Sequence, residues 1–370
     1  MPKCNRPEAL RVRPPREAGL ALCYGTRPQV VKASVLLQSL RARWPVIAID
    51  TGQHYDFELN GLLYEQLGIP RPDHFLEVGS NAPVLQTADV MTRTADILRV
   101  RQPSAVIVIG DTTSTLGCAL AANKEGIPLV HVEAGLRSNE PDLPEEANRR
   151  VVDVLAHLLC APSVAAAERL RTEHAPGEVC VTGDVARDVL ARHLRLAPPP
   201  SHGKRFALVT AHRAALTSDP TALAALLAAL GALGLPVQLP LHPRTRDALQ
   251  RFGLLNSLPP TVTISAPLGY LEMIAAVRDA AVVITDSGGL QREAYWLGTP
   301  CVTIREETEW VETVTAGANA LVPAHAAPGS LAAVVGEQCR RRELAAWVPD
   351  AYGDGAAAER VADAVARLLH

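Results

Sequence analysis

The stretch Ala281-Val282-Val283-Ile284-Thr285-Asp286-Ser287-Gly288-Gly289-Leu290-Gln291-Arg292-Glu293-Ala294 decides the fold. An unbroken apolar run reads as a strand buried on both faces, which is the habit of parallel sheets. It ends in small residues that open a helix, so Ser287, Gly288 and Gly289 are expected to present unpaired backbone N–H groups at the positive end of the helix dipole. That is an anion cradle suited to phosphate. One turn further on, Glu293 is placed to accept two hydrogen bonds from a ribose diol. A sugar nucleotide satisfies both features.

Working outward, short β-branched or apolar runs alternate with Ala/Leu-rich helical stretches, the pattern of βαβ units. Strands are expected at 20–24, 46–50, 105–109, 129–132, 158–161 and 179–182, and again at 205–210, 237–241, 262–264, 282–285 and 301–304. The fold class is therefore α/β, with two doubly wound parallel sheets. Residues 1–18, with four prolines among several arginines, read as a flexible tail. The expected organisation is an N-terminal Rossmann-like domain over 19–192, a linker over 193–204 carrying Pro198-Pro199-Pro200, a nucleotide-binding domain over 205–354, and a closing amphipathic helix over 355–370 that packs on the first domain. In such folds ligands sit at the carboxyl ends of the strands, so the two sheets are expected to face a common cleft.

At 370 residues, 48% apolar and only 4% aromatic, the chain suits two cores of buried parallel strands. A formal net charge of −3 speaks against a general nucleic-acid or membrane-surface binder. No apolar run reaches the roughly 20 residues that span a bilayer, and the N-terminus lacks a signal-peptide core. The seven cysteines are scattered without paired spacing, as expected of buried thiols in a reducing cytoplasm, with neither a metal site nor a disulfide framework.

Other motifs fall at the predicted strand ends. Gly25-Thr26-Arg27-Pro28-Gln29-Val30-Val31-Lys32 follows the first strand, with Arg27 and Lys32 able to face a pyrophosphate or simply to be solvated charges on an ordinary turn. Gly110-Asp111 and His131-Val132-Glu133-Ala134-Gly135-Leu136-Arg137 follow two further strands, and Glu145-Glu146 precedes Arg149 at a helix start. Carboxylates gathered beside an anion site suggest proton transfer. The plainer reading is N-capping by Asp111 and salt bridges from Glu145 or Glu146 to Arg149. His212 and His242 each follow a strand of the second half, and His54 lies on a loop after the second strand.

Taken together and in order, residues 25–32, 51–56, 110–115, 131–138, 144–149, 210–213, 286–294 and 305–312 resemble the non-hydrolysing UDP-N-acetylglucosamine 2-epimerase family. The resemblance implies a GT-B type fold, no metal or cofactor, a homodimer, and a cytoplasmic enzyme that interconverts UDP-GlcNAc and UDP-ManNAc for cell-surface polysaccharide synthesis. It implies elimination of UDP to a 2-acetamidoglucal and re-addition after protonation from the opposite face. Matching positions make Asp111, Glu133, Glu145 and His212 the expected catalytic groups. Arg27, Lys32, His54, Arg137, Arg149, His242, Ser287, Gly288, Gly289, Glu293, Arg305 and Trp310 are the expected substrate contacts.

Departures from the pattern bear on the substrate. Gln29 stands where bacterial UDP-GlcNAc enzymes commonly have Glu, and Trp310 where they have Arg. Glu307-Thr308-Glu309-Trp310 and His242-Pro243-Arg244-Thr245-Arg246 look more like the branch that includes UDP-2,3-diacetamido-glucuronate and archaeal UDP-GlcNAc 2-epimerases. After His212-Arg213 that branch continues Glu-Asn, where this chain has Ala214-Ala215. The rival readings are a 2-epimerase of UDP-2,3-diacetamido-glucuronate, a hydrolysing epimerase, a GT-B glycosyltransferase and a catalytically silent UDP-sugar binding protein. The altered stretch at residues 55–60 implies no activation by a second UDP-GlcNAc.

Overall fold

The computed structural model describes residues 19–53, 64, 68–138, 143–201, 205–343, 347 and 351–370. His54 and the 55–60 stretch lie outside them. The chain divides into two compact units. One comprises the described residues up to Val189 together with Tyr352–His370; the other is Leu190–Ala351.

The first unit is built on a parallel sheet of seven strands: β1 (Leu20–Tyr24), β2 (Val46–Asp50), β3 (His74–Phe75), β4 (Ala105–Ile109), β5 (Leu129–Val132), β6 (Leu158–Ala161) and β7 (Glu178–Val181). Its spatial order is β3-β2-β1-β4-β5-β6-β7. Helices α1 (Arg27–Arg41), α2 (Pro83–Arg101), α3 (Thr113–Lys124), α4 (Pro144–Leu155), α5 (Val164–Thr172) and α6 (Val185–Leu194) connect and follow the strands. The chain winds outward from β1 in both directions, so the loops leaving β1 and β4 start side by side at the point where strand order reverses. β1 and β4 are buried along their whole length, which accounts for their continuous apolar sequence.

The second unit repeats the plan with six strands: β8 (Ala207–Thr210), β9 (Val237–Pro240), β10 (Val262–Ser265), β11 (Val282–Thr285), β12 (Cys301–Thr303) and β13 (Asn319–Leu321), ordered β10-β9-β8-β11-β12-β13. Its helices are α7 (Ala214–Thr217), α8 (Pro220–Gly231), α9 (Pro243–Arg251), α10 (Tyr270–Asp279), α11 (Gly288–Trp296), α12 (Val311–Thr315) and α13 (Pro328–Glu343). Leu223, Leu226, Leu227 and Leu230 of α8 belong to one core. Leu208, Val283 and Leu290 pack on the other face of the sheet.

The break between units falls inside α6, between Val189 and Leu190, rather than at the proline run. The terminal helix α14 (Ala357–Leu369) packs on α1 and β6 of the first unit. Asp188 receives its first N–H groups, from Ala357 at 3.0 Å and Ala358 at 2.7 Å, and Arg43 pairs with Glu359 and Asp363. Strands β3 and β13 were not expected from sequence. They are two and three residues long and sit at sheet edges, where no sustained apolar run is needed.

Candidate active site

In the first unit the acidic residues at neighbouring strand ends each meet a buried cation. Lys32, on the second turn of α1, reaches Glu133 Oε2 at 2.7 Å, and both are nearly sealed from solvent. Glu133 has a left-handed backbone, φ +71°, which costs a non-glycine residue about 1–2 kcal/mol. Strain of this kind clusters at functional sites. Gly110, at φ +64°, makes room for it: a β-carbon there would come within 3.3 Å of Glu133 Oε2.

Asp111 is more open than Glu133. Its Oδ2 accepts from Arg149 Nε at 2.7 Å and lies 2.5 Å from a terminal nitrogen of the same guanidinium, while Asn148 donates to its backbone carbonyl at 2.8 Å. The expectation that Asp111 caps the following helix is corrected, since Thr112 is the N-cap and accepts from the Thr115 N–H. Glu145 sits half-exposed in the first turn of α4. Its neighbour Glu146 is the one drawn inward, accepting from Ser138 N–H (2.9 Å), Arg149 (3.3 Å) and Arg150 (2.9 Å).

Two cations expected to touch substrate are committed otherwise. Arg137 grips Glu173 in a fork, with contacts of 2.6–3.1 Å, and reaches Asp153 at 2.8 Å, so its donors serve the protein. Lys32 answers to Glu133 instead of standing beside Arg27, which is exposed at the first position of α1. Gln29 ties the two loops together. Its Oε1 accepts from the Gly25 and Thr26 N–H groups, and its Nε2 donates to the Ile109 carbonyl at 2.6 Å and to the Thr112 and Thr115 hydroxyls at 2.9 Å.

In the second unit His212 leaves β8 with its Nδ1 2.9 Å from Asp286 Oδ1, while Asp286 Oδ2 accepts from the His212 and Arg213 backbone N–H groups, both at 2.7 Å. Burial works to raise the Asp286 carboxyl, but the His212 ring and these N–H groups outweigh it and hold the group below its ordinary value. A carboxylate on Nδ1 fixes the proton there and leaves Nε2 as the working nitrogen of a half-exposed ring. The exposed His242 ring lies 5.4 Å away, centroid to centroid, and its Nδ1 caps α9 through the Arg244 N–H.

Ser287 is the N-cap of α11. Among the described residues no hydrogen bond takes up the Gly288 or Gly289 N–H, and both residues are part-exposed. The two glycines are there for different reasons. A β-carbon on Gly288 would press on Glu309 Oε1 at 3.0 Å and Trp310 Nε1 at 3.1 Å, whereas on Gly289 it would meet nothing nearer than Ser287 Oγ at 3.8 Å. Packing thus accounts for Gly288 but leaves Gly289 facing open space at the cradle. Arg305 and Trp310 are buried, Arg305 on Glu309 at 2.9 Å and Trp310 beneath the Arg292 guanidinium at 3.8 Å, so neither offers an open surface. Glu293 is part-exposed on the second turn of α11.

The family model described as UDP-N-acetylglucosamine 2-epimerase matches residues 38–366. The chain belongs to this family. It is 38% identical to a UDP-2,3-diacetamido-2,3-dideoxy-D-glucuronate 2-epimerase of Pseudomonas aeruginosa, over 93% of this chain and 98% of that protein. It is also 38% identical to a UDP-N-acetylglucosamine 2-epimerase homolog of Methanococcus maripaludis, over 80% and 87%. Among solved structures, the UDP-GlcNAc 2-epimerase of Methanocaldococcus jannaschii in complex with UDP-GlcNAc and UDP superposes with a TM-score of 0.85 at 31% identity, covering 94% of this chain and 99% of that one. The pair of Rossmann-like units is accordingly of the GT-B type.

Within this family member, sequence reasoning missed the groups that hold the expected ones. Asp286 was quoted only as part of a motif, although an acid directly after β11 lies next to the end of β8 by strand order. Asp153 was not named at all, although with Glu146 and Arg149, both named from the sequence, it recurs at helical spacing on α4, a signal that marks one inward face.

Proposed function

We propose that this chain is a nucleotide-sugar 2-epimerase acting on UDP-GlcNAc. The nucleotide diphosphate lies against the open N–H groups of Gly288 and Gly289, with Ser287 beside it and the ribose diol on Glu293. A carboxylate removes the C2 proton as the C1–O bond breaks, so the electron pair of C–H becomes the C1=C2 bond of a 2-acetamidoglucal and UDP departs. Protonation at C2 from the other face and attack of a β-phosphate oxygen on C1 regenerate the sugar nucleotide with C2 inverted. Asp111, Glu133 and Glu145 supply the acid and base; His212, held by Asp286, stabilises or protonates the departing diphosphate. The catalytic gain rests on position and on prearranged charge.

The observation that carries this reading is the pair of carboxylates at the ends of β4 and β5, one of them on a left-handed backbone, each fixed by a buried cation. A phosphate-binding module needs no such acids. The enzyme works without metal, as a cytoplasmic homodimer. A second reading is favoured by the similarity to the P. aeruginosa relative over nearly the whole of both chains: the substrate is UDP-2,3-diacetamido-glucuronate. Incubating the protein separately with each sugar nucleotide and following C2 inversion by proton NMR decides between them. Free 2-acetamido sugar in place of an epimerised nucleotide would mark a hydrolysing enzyme.

A further inference from the structure

His131 is wholly buried on β5 and has no part in the chemistry proposed above. Its Nε2 lies 2.8 Å from the Gly110 carbonyl and its Nδ1 2.7 Å from Asp153 Oδ1. A carbonyl oxygen can only accept, so Nε2 carries a hydrogen. At the other nitrogen a second hydrogen must lie between Nδ1 and the carboxylate oxygen. The other Asp153 oxygen already accepts from Arg137 at 2.8 Å and from the Gly135 N–H at 3.2 Å, which favours the ionised carboxylate. The surrounding charges agree. Asp111, Glu133, Glu146, Asp153 and Glu173 are five carboxylates tied to four side-chain cations, Lys32, Arg137, Arg149 and Arg150. A protonated His131 sets five cations against these five carboxylates, Arg150 and Glu173 lying at the exposed margin of the set.

We propose that His131 is an imidazolium that positions the two acid-bearing loops, holding the Gly110 carbonyl with one N–H and, through Asp153, the Gly135 N–H with the other. Gly110 precedes Asp111, and Gly135 follows Glu133 by two residues. The backbone at both glycines is left-handed, φ +64° and +82°. Each loop therefore has an unusual conformation pinned by one end of the same His–Asp pair. His131 is a positioning residue, and its effect on turnover rests on the epimerase reading; its charge state does not.

The charge state is read on the full chain labelled with 15N-histidine, with His131 assigned by the signal lost in His131→Gln. At pH 7.5 both ring nitrogens are expected to be protonated, and in Asp153→Asn the Nδ1 proton is expected to be lost. A neutral ring in the wild-type protein, with one bare nitrogen, overturns the proposal. For turnover, His131→Gln keeps a donor for the Gly110 carbonyl and His131→Leu removes both. The expected result is a kcat fall of about tenfold to a hundredfold in His131→Leu, a smaller one in His131→Gln, and KM within about threefold in both. Unchanged kcat in a variant with lowered melting temperature would reduce His131 to a packing residue. If His131→Leu does not fold, His131→Gln and Asp153→Asn carry both readouts. Should the wild-type protein turn over neither sugar nucleotide, the epimerase reading fails while the NMR result still stands or falls by itself.

Discussion

At the scale of single residues, the decisive contact in the second unit is Asp286 on His212. Where the resemblance leads one to expect Glu-Asn after His212-Arg213, the chain has Ala214 and Ala215, both exposed. The orientation of the histidine does not depend on them, because a buried carboxylate grips both its ring and its backbone. Asp286→Asn should let the ring adopt the wrong tautomer and lower kcat by about 10²–10⁴-fold, with UDP affinity little changed. Steady-state kinetics together with calorimetric UDP binding check this; a kcat within threefold of wild type would remove Asp286 from the mechanism. Glu133→Gln should cost a similar factor, since it removes the charge that can take a proton and leaves the Lys32 ammonium buried without its anion.

At the scale of elements, the first turn of α11 separates packing from binding. Gly289→Ala introduces a methyl into open space and improves helix propensity by up to about 1 kcal/mol, so the melting temperature should hold or rise while the Kd for UDP weakens at least about tenfold. Gly288→Ala should instead destabilise, because its β-carbon presses on Glu309 and Trp310. Thermal melts with and without UDP read both; equal UDP affinity in Gly289→Ala would mean that nothing anionic sits there. Gln29 gives a second case. A glutamate in its place would set a carboxylate against the Ile109 carbonyl, where an amide now donates at 2.6 Å, so Gln29→Glu should cost about 1–3 kcal/mol of stability in urea titrations at neutral pH.

The same elements show what the sequence could and could not reveal. Strands such as 105–109 and 282–285 were legible to the residue because full burial on both faces demands an uninterrupted apolar run. The two edge strands carry no such demand. The open helix N-terminus at Gly288 and Gly289 was legible because small residues follow a buried apolar strand there. The fates of Arg137 and Lys32 were not, since a cation at a strand end looks the same whether it awaits a ligand or answers Glu173 or Glu133 across a sequence gap of 36 or 101 residues.

At the scale of the whole molecule, the two units should respond differently to acid. Asp286 and Asp153 have folded values below the ordinary 3.8, so each contributes stability that is present above that value and is lost as pH falls through the lower folded one. In the first unit Asp50 and Asp188 act in the opposite sense. Burial raises both, so protonation relieves a strain on the fold as pH falls. In the second unit the buried Asp286 acts in the first sense. Hydrogen exchange near pH 3.5 should therefore show β8 and β11 losing protection before β1 and β4; the reverse order would contradict this electrostatic account.

Proton transfer at C2 is the claim on which the functional account stands, and exchange with solvent tests it most directly. The wild-type protein incubated in D2O with UDP-GlcNAc, and in parallel with UDP-2,3-diacetamido-glucuronate, should place deuterium at C2 of one of them, both in the inverted product and in recovered starting material. Binding of UDP with no deuterium at C2 of either sugar nucleotide would contradict it.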